Sequence, residues 1–224
     1  MSTPTPTDEA RRLYGQGCPL ACALDVLGER WTLLVVRELL LGPKRFTELG
    51  NALPTAGPNR LTTRLRRLQD AGVAEKSLEG AYALTAYGEV LREPVLGLGL
   101  WGLGLMPDLD TVESRSDMVA LVMSAAISPA LLGNLELDLE VSAPDLFNIS
   151  VRDGRMTVRS GPSGTTGGSH LQCAPTAFFA LSLGTMSLSD EIGSGGASVE
   201  GDIETVSQLF DRFAATAHER LSHV

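Results

Sequence analysis

The sequence predicts two domains of different class: an N-terminal winged helix-turn-helix, mostly α with a β hairpin, and a C-terminal α+β domain in which helices pack an antiparallel sheet. Three observations carry this prediction. Of the 224 residues, positions 1–105 hold 12 Lys+Arg against 11 Asp+Glu, net +1, whereas 106–224 hold 6 against 16, net −10. Apolar residues recur at helical spacing in the first half, but in the second Leu135, Leu137, Leu139 and Val141 alternate with Glu136, Asp138 and Glu140. Asn59 to Gly72 adds four arginines to an amphipathic pattern inside an acidic chain. The expected divisions are a flexible N-terminal segment 1–13, a first domain 14–106, a linker 107–114 and a second domain 115–224.

The first half yields its elements in order. Cys18 is placed to cap a helix, Pro19 to occupy its first turn, and Leu20, Leu24 and Leu27 to follow at helical spacing until Gly28 breaks it. Arg30-Trp31 opens a second helix, with Trp31, Leu34, Val35 and Leu39 buried, that ends at Gly42-Pro43. Arg45 to Ala52 reads as a shorter helix with Phe46 and Leu49 on the core, and Pro54 to Gly57 as the turn after it. A helix from Pro58 to about Ala71 follows, with Pro58 in its first turn and Gly72 as the left-handed residue that ends it. Val73 to Leu78 and Ala81 to Leu84 flank Glu79-Gly80 as a hairpin, the position of a wing. Thr85 then caps a helix through Leu105 in which Val90, Leu91, Val95, Leu98 and Trp101 share an apolar face. Its glycines favour close approach of another backbone, suiting either a second chain or the intrachain core.

The arginine-bearing helix has chemistry of its own. Leu61, Leu65 and Leu68 fall on one stripe, while Asn59, Thr63 and Arg66 point away and Arg60, Thr62 and Arg67 flank them. Guanidinium groups grip phosphate or pair with guanine, and Asn and Thr reach base edges or phosphate oxygens. The bland reading of such a helix is a solvated charged face. A net charge of −10 in the second half repels a polyanion. Contacts to DNA are therefore expected from Lys44, Arg45, Asn59, Arg60, Thr62, Thr63, Arg66 and Arg67, with Lys76 in the wing.

Cys18-Pro19-Leu20, Ala23 to Leu34, Arg37-Glu38-Leu39-Leu40, Gly42 to Leu49 and Asn59 to Leu65 resemble the HxlR-type bacterial winged-helix regulators, relatives of the MarR-like group. The resemblance covers roughly residues 14 to 104. It implies a homodimeric transcriptional regulator on a roughly palindromic, double-stranded DNA operator, with the segment after the wing contributing to dimerisation. Lys76 is the hairpin's one basic residue, a departure that weakens the case for a wing contact.

In the second half, Ser116 to Ile127 reads as a helix, and Phe147, Ile149 and Val151 as a strand turning at Asp153-Gly154. Pairing across that turn sets Val151 opposite Met156 and Ile149 opposite Val158 on one face, leaving Arg152, Arg155 and Arg159 to the acidic strand. Pro175 to Gly184 reads as a helix, and Asp202 caps a last one with Ile203, Val206, Phe210 and Phe213 inward. Leu181 to Phe213, above all Ser187 to Ile192 and Ser198 to Asp202, resembles the sterol-carrier-protein family. That resemblance, over residues 115 to 214, implies an apolar tunnel for a small hydrophobic ligand. Met123, Phe178, Phe179 and Met186 are candidate lining, with simple core filling as the alternative.

Cys18 at a helix N-terminus is a candidate oxidant sensor, a role that the cysteine at this motif position has in some HxlR-type relatives, with Cys22 one turn on to resolve it; a structural thiol is the alternative. His170, His218 and His223 show no metal-ligand pairing, and no nucleophile elbow or phosphate loop occurs, so neither enzyme activity, metal nor cofactor is expected. Met1 to Glu9 has no basic-apolar leader and Val95 to Met106 is too short to span a bilayer, which places the protein in the cytoplasm, away from membranes. Three cysteines agree with a reducing compartment. The reading is a dimeric regulator controlled by a small hydrophobic effector. The alternatives are a hydrophobic-ligand carrier or buffering protein with a reduced DNA-binding module, and a thiol-based regulator working through Cys18.

Overall fold

Residues 13–102, 105, 115–164 and 167–221 are described by the structure, a computed structural model. The expected linker 107–114 and all but the last residue of the N-terminal segment lie outside them. Contacts divide the chain into two compact units, Met1–Arg92 and Glu93–Val224.

In the first unit, α1 (Pro19–Leu27) starts after Cys18 and stops at Gly28. Helix α2 (Thr32–Leu40) is the unit's apolar centre: Val35, Val36, Leu39 and Leu40 are at most 1% exposed. Trp31, expected within the helix and buried, is instead the half-buried residue before it, in a left-handed conformation with φ 81°. Buried Glu38 is paired with Arg37 at 2.6 Å. Helix α3 (Phe46–Ala52), a 3₁₀ turn (Pro54–Ala56) and α4 (Pro58–Asp70) form the helix-turn-helix. Leu61, Leu65 and Leu68 bury as the spacing requires, about 1.5–3 kcal/mol each. Gly72 (φ 70°) ends α4, and the Val73 N–H reaches the Leu68 carbonyl at 2.8 Å, closing the helix end.

The hairpin of β2 (Ala74–Lys76) and β3 (Ala81–Leu84) pairs Lys76 with Tyr82. A strand that the sequence did not suggest, β1 (Lys44–Arg45), pairs with the other edge of β3, so the wing is a three-stranded sheet in the order β1-β3-β2. Thr85 caps as expected, its hydroxyl accepting from the Gly88 N–H at 3.0 Å. The single helix expected from Thr85 to Leu105 is broken into α5 (Ala86–Glu89) and α6 (Arg92–Gly102). Pro94 explains the break: it lacks an N–H, and its ring would strike the Val90 carbonyl four residues back. Contacts assign α6 to the second unit, where Gly99 lies beside Val122.

Besides α6, that second unit comprises α7 (Ser116–Ala126), α8 (Pro129–Leu132), β4 (Leu137–Ala143), β5 (Asp145–Arg152), β6 (Arg155–Ser160), β7 (Ser169–Cys173), α9 (Pro175–Leu183), α10 (Leu188–Ser194), β8 (Ala197–Glu200) and α11 (Ile203–Leu221). Val151 pairs with Met156 and Ile149 with Val158, the register expected from the turn. The sheet is mixed, not antiparallel: its order is β6-β5-β4-β7-β8, and β7 runs parallel to β4. The short crossover that permits this is anchored on the polar face, where Glu140 accepts from the Ser163 N–H at 2.7 Å and Asn148 donates to the Gly161 carbonyl at 3.2 Å. Gly168 passes so close to β4 that a Cβ would lie 2.7 Å from the Asp138 carbonyl oxygen.

The other face of the sheet packs against helices. Phe147, Phe178, Phe210 and Phe213 form a chain of edge-to-face rings with centroids 5.5, 5.6 and 5.8 Å apart. Asp202 caps α11 through the Thr205 N–H at 3.1 Å, but Ile203, expected inward, is 50% exposed. Arg152 reaches Asp138 and Glu136 on the acidic strand, as expected. Among the described residues no helix is long and apolar enough to cross a membrane.

Candidate nucleic-acid interface

Helix α4 presents its polar side as one continuous row: Asn59, Arg60, Thr62, Thr63 and Arg66 are exposed while its leucines are covered. Arg60 extends from the first turn, one guanidinium nitrogen lying 3.5 Å from the Ala56 carbonyl. The Thr62 and Thr63 hydroxyls each donate to the carbonyl four residues back at 2.9 Å. A phosphate oxygen is also an acceptor, so it would have to replace those bonds, whereas the threonine methyl groups are free to meet a thymine methyl. Arg45 is exposed at the start of α3, where its N–H donates to the Glu48 carboxylate.

Three of the expected basic groups are held elsewhere. Lys44, taken from the sequence as an exposed contact, is 8% exposed within β1, because the strand pairing that the sequence did not suggest covers it. Arg67 is half-buried and donates to the Asp25 carbonyl in the last turn of α1, a favourable site for a cation at a helix C-terminus. Lys76 in the wing stands 5.1 Å over the Tyr82 ring. The wing's turn carries Leu78, fully solvent-exposed, and Glu79, whose carboxyl is held below its ordinary pKa of 4.5 by hydrogen bonds to its backbone and to Ser77. A carboxylate at that tip opposes a phosphate contact.

The other sequence-derived sites are not brought together. Phe178 is fully buried and Met123 and Phe179 nearly so, all as packed interior, whereas Met186 is 41% exposed on the surface. Cys18 is exposed at the N-terminus of α1, and its side chain makes no capping hydrogen bond there. Cys22 is exposed one turn later, its thiol 4.0 Å from the Gln16 carbonyl. Cys173, between sheet and helices, is pushed up to about 11, first by burial and then by the nearby Glu191 charge. Among the described residues no group of three or more His, Cys, Asp or Glu side chains is arranged to hold a metal.

A helix-turn-helix with an exposed row of Asn, Arg and Thr and a three-stranded wing defines a winged-helix DNA-binding protein. Known proteins agree. The model of the HxlR-like helix-turn-helix matches residues 26–109. The chain is 30% identical over 105 residues to the uncharacterized HTH-type transcriptional regulator YdeP of Bacillus subtilis, covering 44% of this chain and 82% of that protein. With YybR of the same organism, described in the same words, identity is 31% over 115 residues, covering 48% of this chain and 92% of YybR. A crystal structure of quinone-bound YodB from B. subtilis is 31% identical, covering 39% of this chain and 99% of that one, with a TM-score of 0.37. The chain belongs to the HxlR-like helix-turn-helix family and is a DNA-binding transcriptional regulator of that type. The family match ends at residue 109, ahead of α7 and the mixed sheet.

Proposed function

We propose that the protein is a cytoplasmic homodimer that binds a palindromic operator through Asn59, Arg60, Thr63 and Arg66 of α4, with Arg45 on the flanking backbone. The observation that carries this reading is the uninterrupted exposed row on α4 opposite three buried leucines. Dimerisation is supported by apolar side chains left uncovered in a single chain: Leu13, Tyr14 and Leu20 at and before α1 are 55–66% exposed, and Leu98 and Trp101 on α6 are 55% and 71% exposed. A two-fold dimer sets its recognition helices about 34 Å apart, one turn of DNA. The second unit is proposed to take a small hydrophobic effector between sheet and helices. Its apolar interior and the sterol-carrier resemblance support this, and entry requires Phe178 and its neighbours to move.

The test is a salt titration of binding to DNA from upstream of the protein's own gene, against a random duplex. Arg60→Ala with Arg66→Ala removes up to four phosphate contacts per dimer, and the slope of log affinity against log salt should fall by about 3–4. Equal affinity for both duplexes, with no effect of the substitutions, defeats the proposal. Sedimentation at two protein concentrations checks the dimer, and native mass spectrometry checks for a copurifying ligand.

The exposed Cys18 immediately before a nine-residue helix supports a second reading, control by thiol oxidation. Cys18 stands just before α1 in an extended conformation, with φ −115° and ψ 125°, so a bond to Cys22 depends on the two Cβ atoms coming within the roughly 3.5–4.5 Å of a disulfide. Oxidation that leaves DNA affinity unchanged excludes this reading.

A further inference from the structure

Between the start of α2 and the start of α4 lies a cleft of about 350 Å³ lined by Glu29, Arg30, Trp31, Thr55, Arg60 and Arg64. The geometry points to a binding site for a small planar organic anion, whose occupancy competes with DNA for Arg60. Its regulatory part rests on the proposal that α4 reads DNA; the binding site itself does not.

Charge sets the ligand's sign. Three arginines and a single carboxylic acid residue line the cleft, and the carboxylate of that residue, Glu29, lies 3.4 Å from Arg64. Arg64 is 8% exposed, and its buried Nε has no hydrogen-bond partner. A buried donor without an acceptor is a standing cost to the fold that a shift of the Arg64 side chain toward an incoming carboxylate would relieve. The shape comes from Trp31. Its left-handed backbone, with φ 81°, is a conformation that bulky residues rarely adopt, and strain of this kind concentrates at ligand sites. Held there, the indole lines the cleft with the Arg30 guanidinium over one ring face, 5.0 Å from its centroid, leaving its other apolar surface for a ligand. The volume lies in the range of small-molecule sites and exceeds what an isolated phosphate needs. A carboxylate directed at the arginines, with a flat body against Trp31, uses both features. Arg60 belongs to this lining and also to the exposed row of α4, so an occupied cleft withdraws one cation per protomer from the DNA face.

Benzoate is the probe, with benzamide as its neutral counterpart and inorganic phosphate as the anion without a flat body. With full-length protein, calorimetry should show saturable benzoate binding near 1 mM, at least roughly tenfold tighter than benzamide or phosphate. The Trp31 indole N–H resonance, assigned by Trp31→Phe, should shift while that of Trp101 does not. Arg30→Gln, a surface change that leaves the fold intact, and Arg64→Gln should each weaken benzoate about tenfold. Saturating benzoate should weaken binding to upstream DNA about tenfold, the coupling expected of a shared arginine. Equal benzoate and benzamide binding, or benzoate affinity indifferent to Arg30→Gln, overturns the site. Phosphate binding as tightly as benzoate identifies a DNA-backbone cradle and overturns the planar-anion assignment. Benzoate binding that leaves DNA affinity unchanged overturns the competition. If upstream DNA is never bound specifically while benzoate still requires Arg30, the DNA reading fails and the site stands.

Discussion

Replacing Phe178 by alanine tests whether the interior of the second unit is filled core or an open ligand space. The ring is fully buried and meets Phe147 at 5.5 Å and Phe210 at 5.6 Å, both edge-on with interplanar angles of 82° and 80°. Truncating a buried Phe costs about 3–5 kcal/mol, and two geometrically favourable aromatic neighbours argue for the middle of that range or above. A loss of about 4 kcal/mol is a large part of the ~5–15 kcal/mol that holds a domain together. Hydrogen exchange followed peptide by peptide separates the two units: amides of β4 and β5 should exchange ~10³-fold faster, while those of α4 hold their protection. Phe178→Leu, which keeps most of the volume, should cost less than about 1.5 kcal/mol. If Phe178→Ala accelerates β4 and β5 by less than about tenfold, the ring borders space instead of filling it, and the packed-core description is wrong.

Gly88→Ala places a Cβ 2.0 Å from the Val73 carbonyl oxygen, so α5 must move off the base of the hairpin; thermal denaturation should show a loss of about 1–3 kcal/mol. Cys173 keeps its proton at pH 8 because burial raises its pKa to about 11, so iodoacetamide followed by mass spectrometry should label exposed Cys18 and Cys22 first; early labelling of Cys173 contradicts its placement. The Asp202 carboxyl is held below its ordinary 3.8, first by the Thr205 hydroxyl and then by the Thr205 N–H. Its contribution is therefore present above the ordinary carboxylate range and lost as pH falls through the lowered pKa. Melting curves of Asp202→Ala and the unchanged protein should differ at pH 7 and converge toward pH 2.

The sequence by itself determined the elements whose cause is local. Pro19 and Gly28 bound α1, Pro58 and Gly72 bound α4, and the spacing of Leu61, Leu65 and Leu68 settles which side of α4 is covered, leaving Asn59, Arg60, Thr63 and Arg66 in solvent. The Asp153-Gly154 turn likewise settled the register of β5 and β6, because a two-residue turn with alternating flanks allows only one pairing of apolar faces. Features that depend on distant partners stayed hidden. Two residues, Lys44 and Arg45, have no periodicity to read, so β1 and the burial of Lys44 appear only when β3 arrives beside them. A parallel crossover ordinarily takes a dozen or more residues and a helix, and the Gly-rich connection to β7 is too short for that, so the sheet read as antiparallel. The same holds for the candidate site. Arg67 read as a DNA contact flanking Arg66 on the helical wheel until α1 supplied a carbonyl, and Arg30, Trp31 and Arg64 share a cleft only because α2 and α4 pack side by side. Backbone chemistry and apolar spacing act within a few residues and are written in the chain; which cations remain free for a ligand depends on what the fold brings against them.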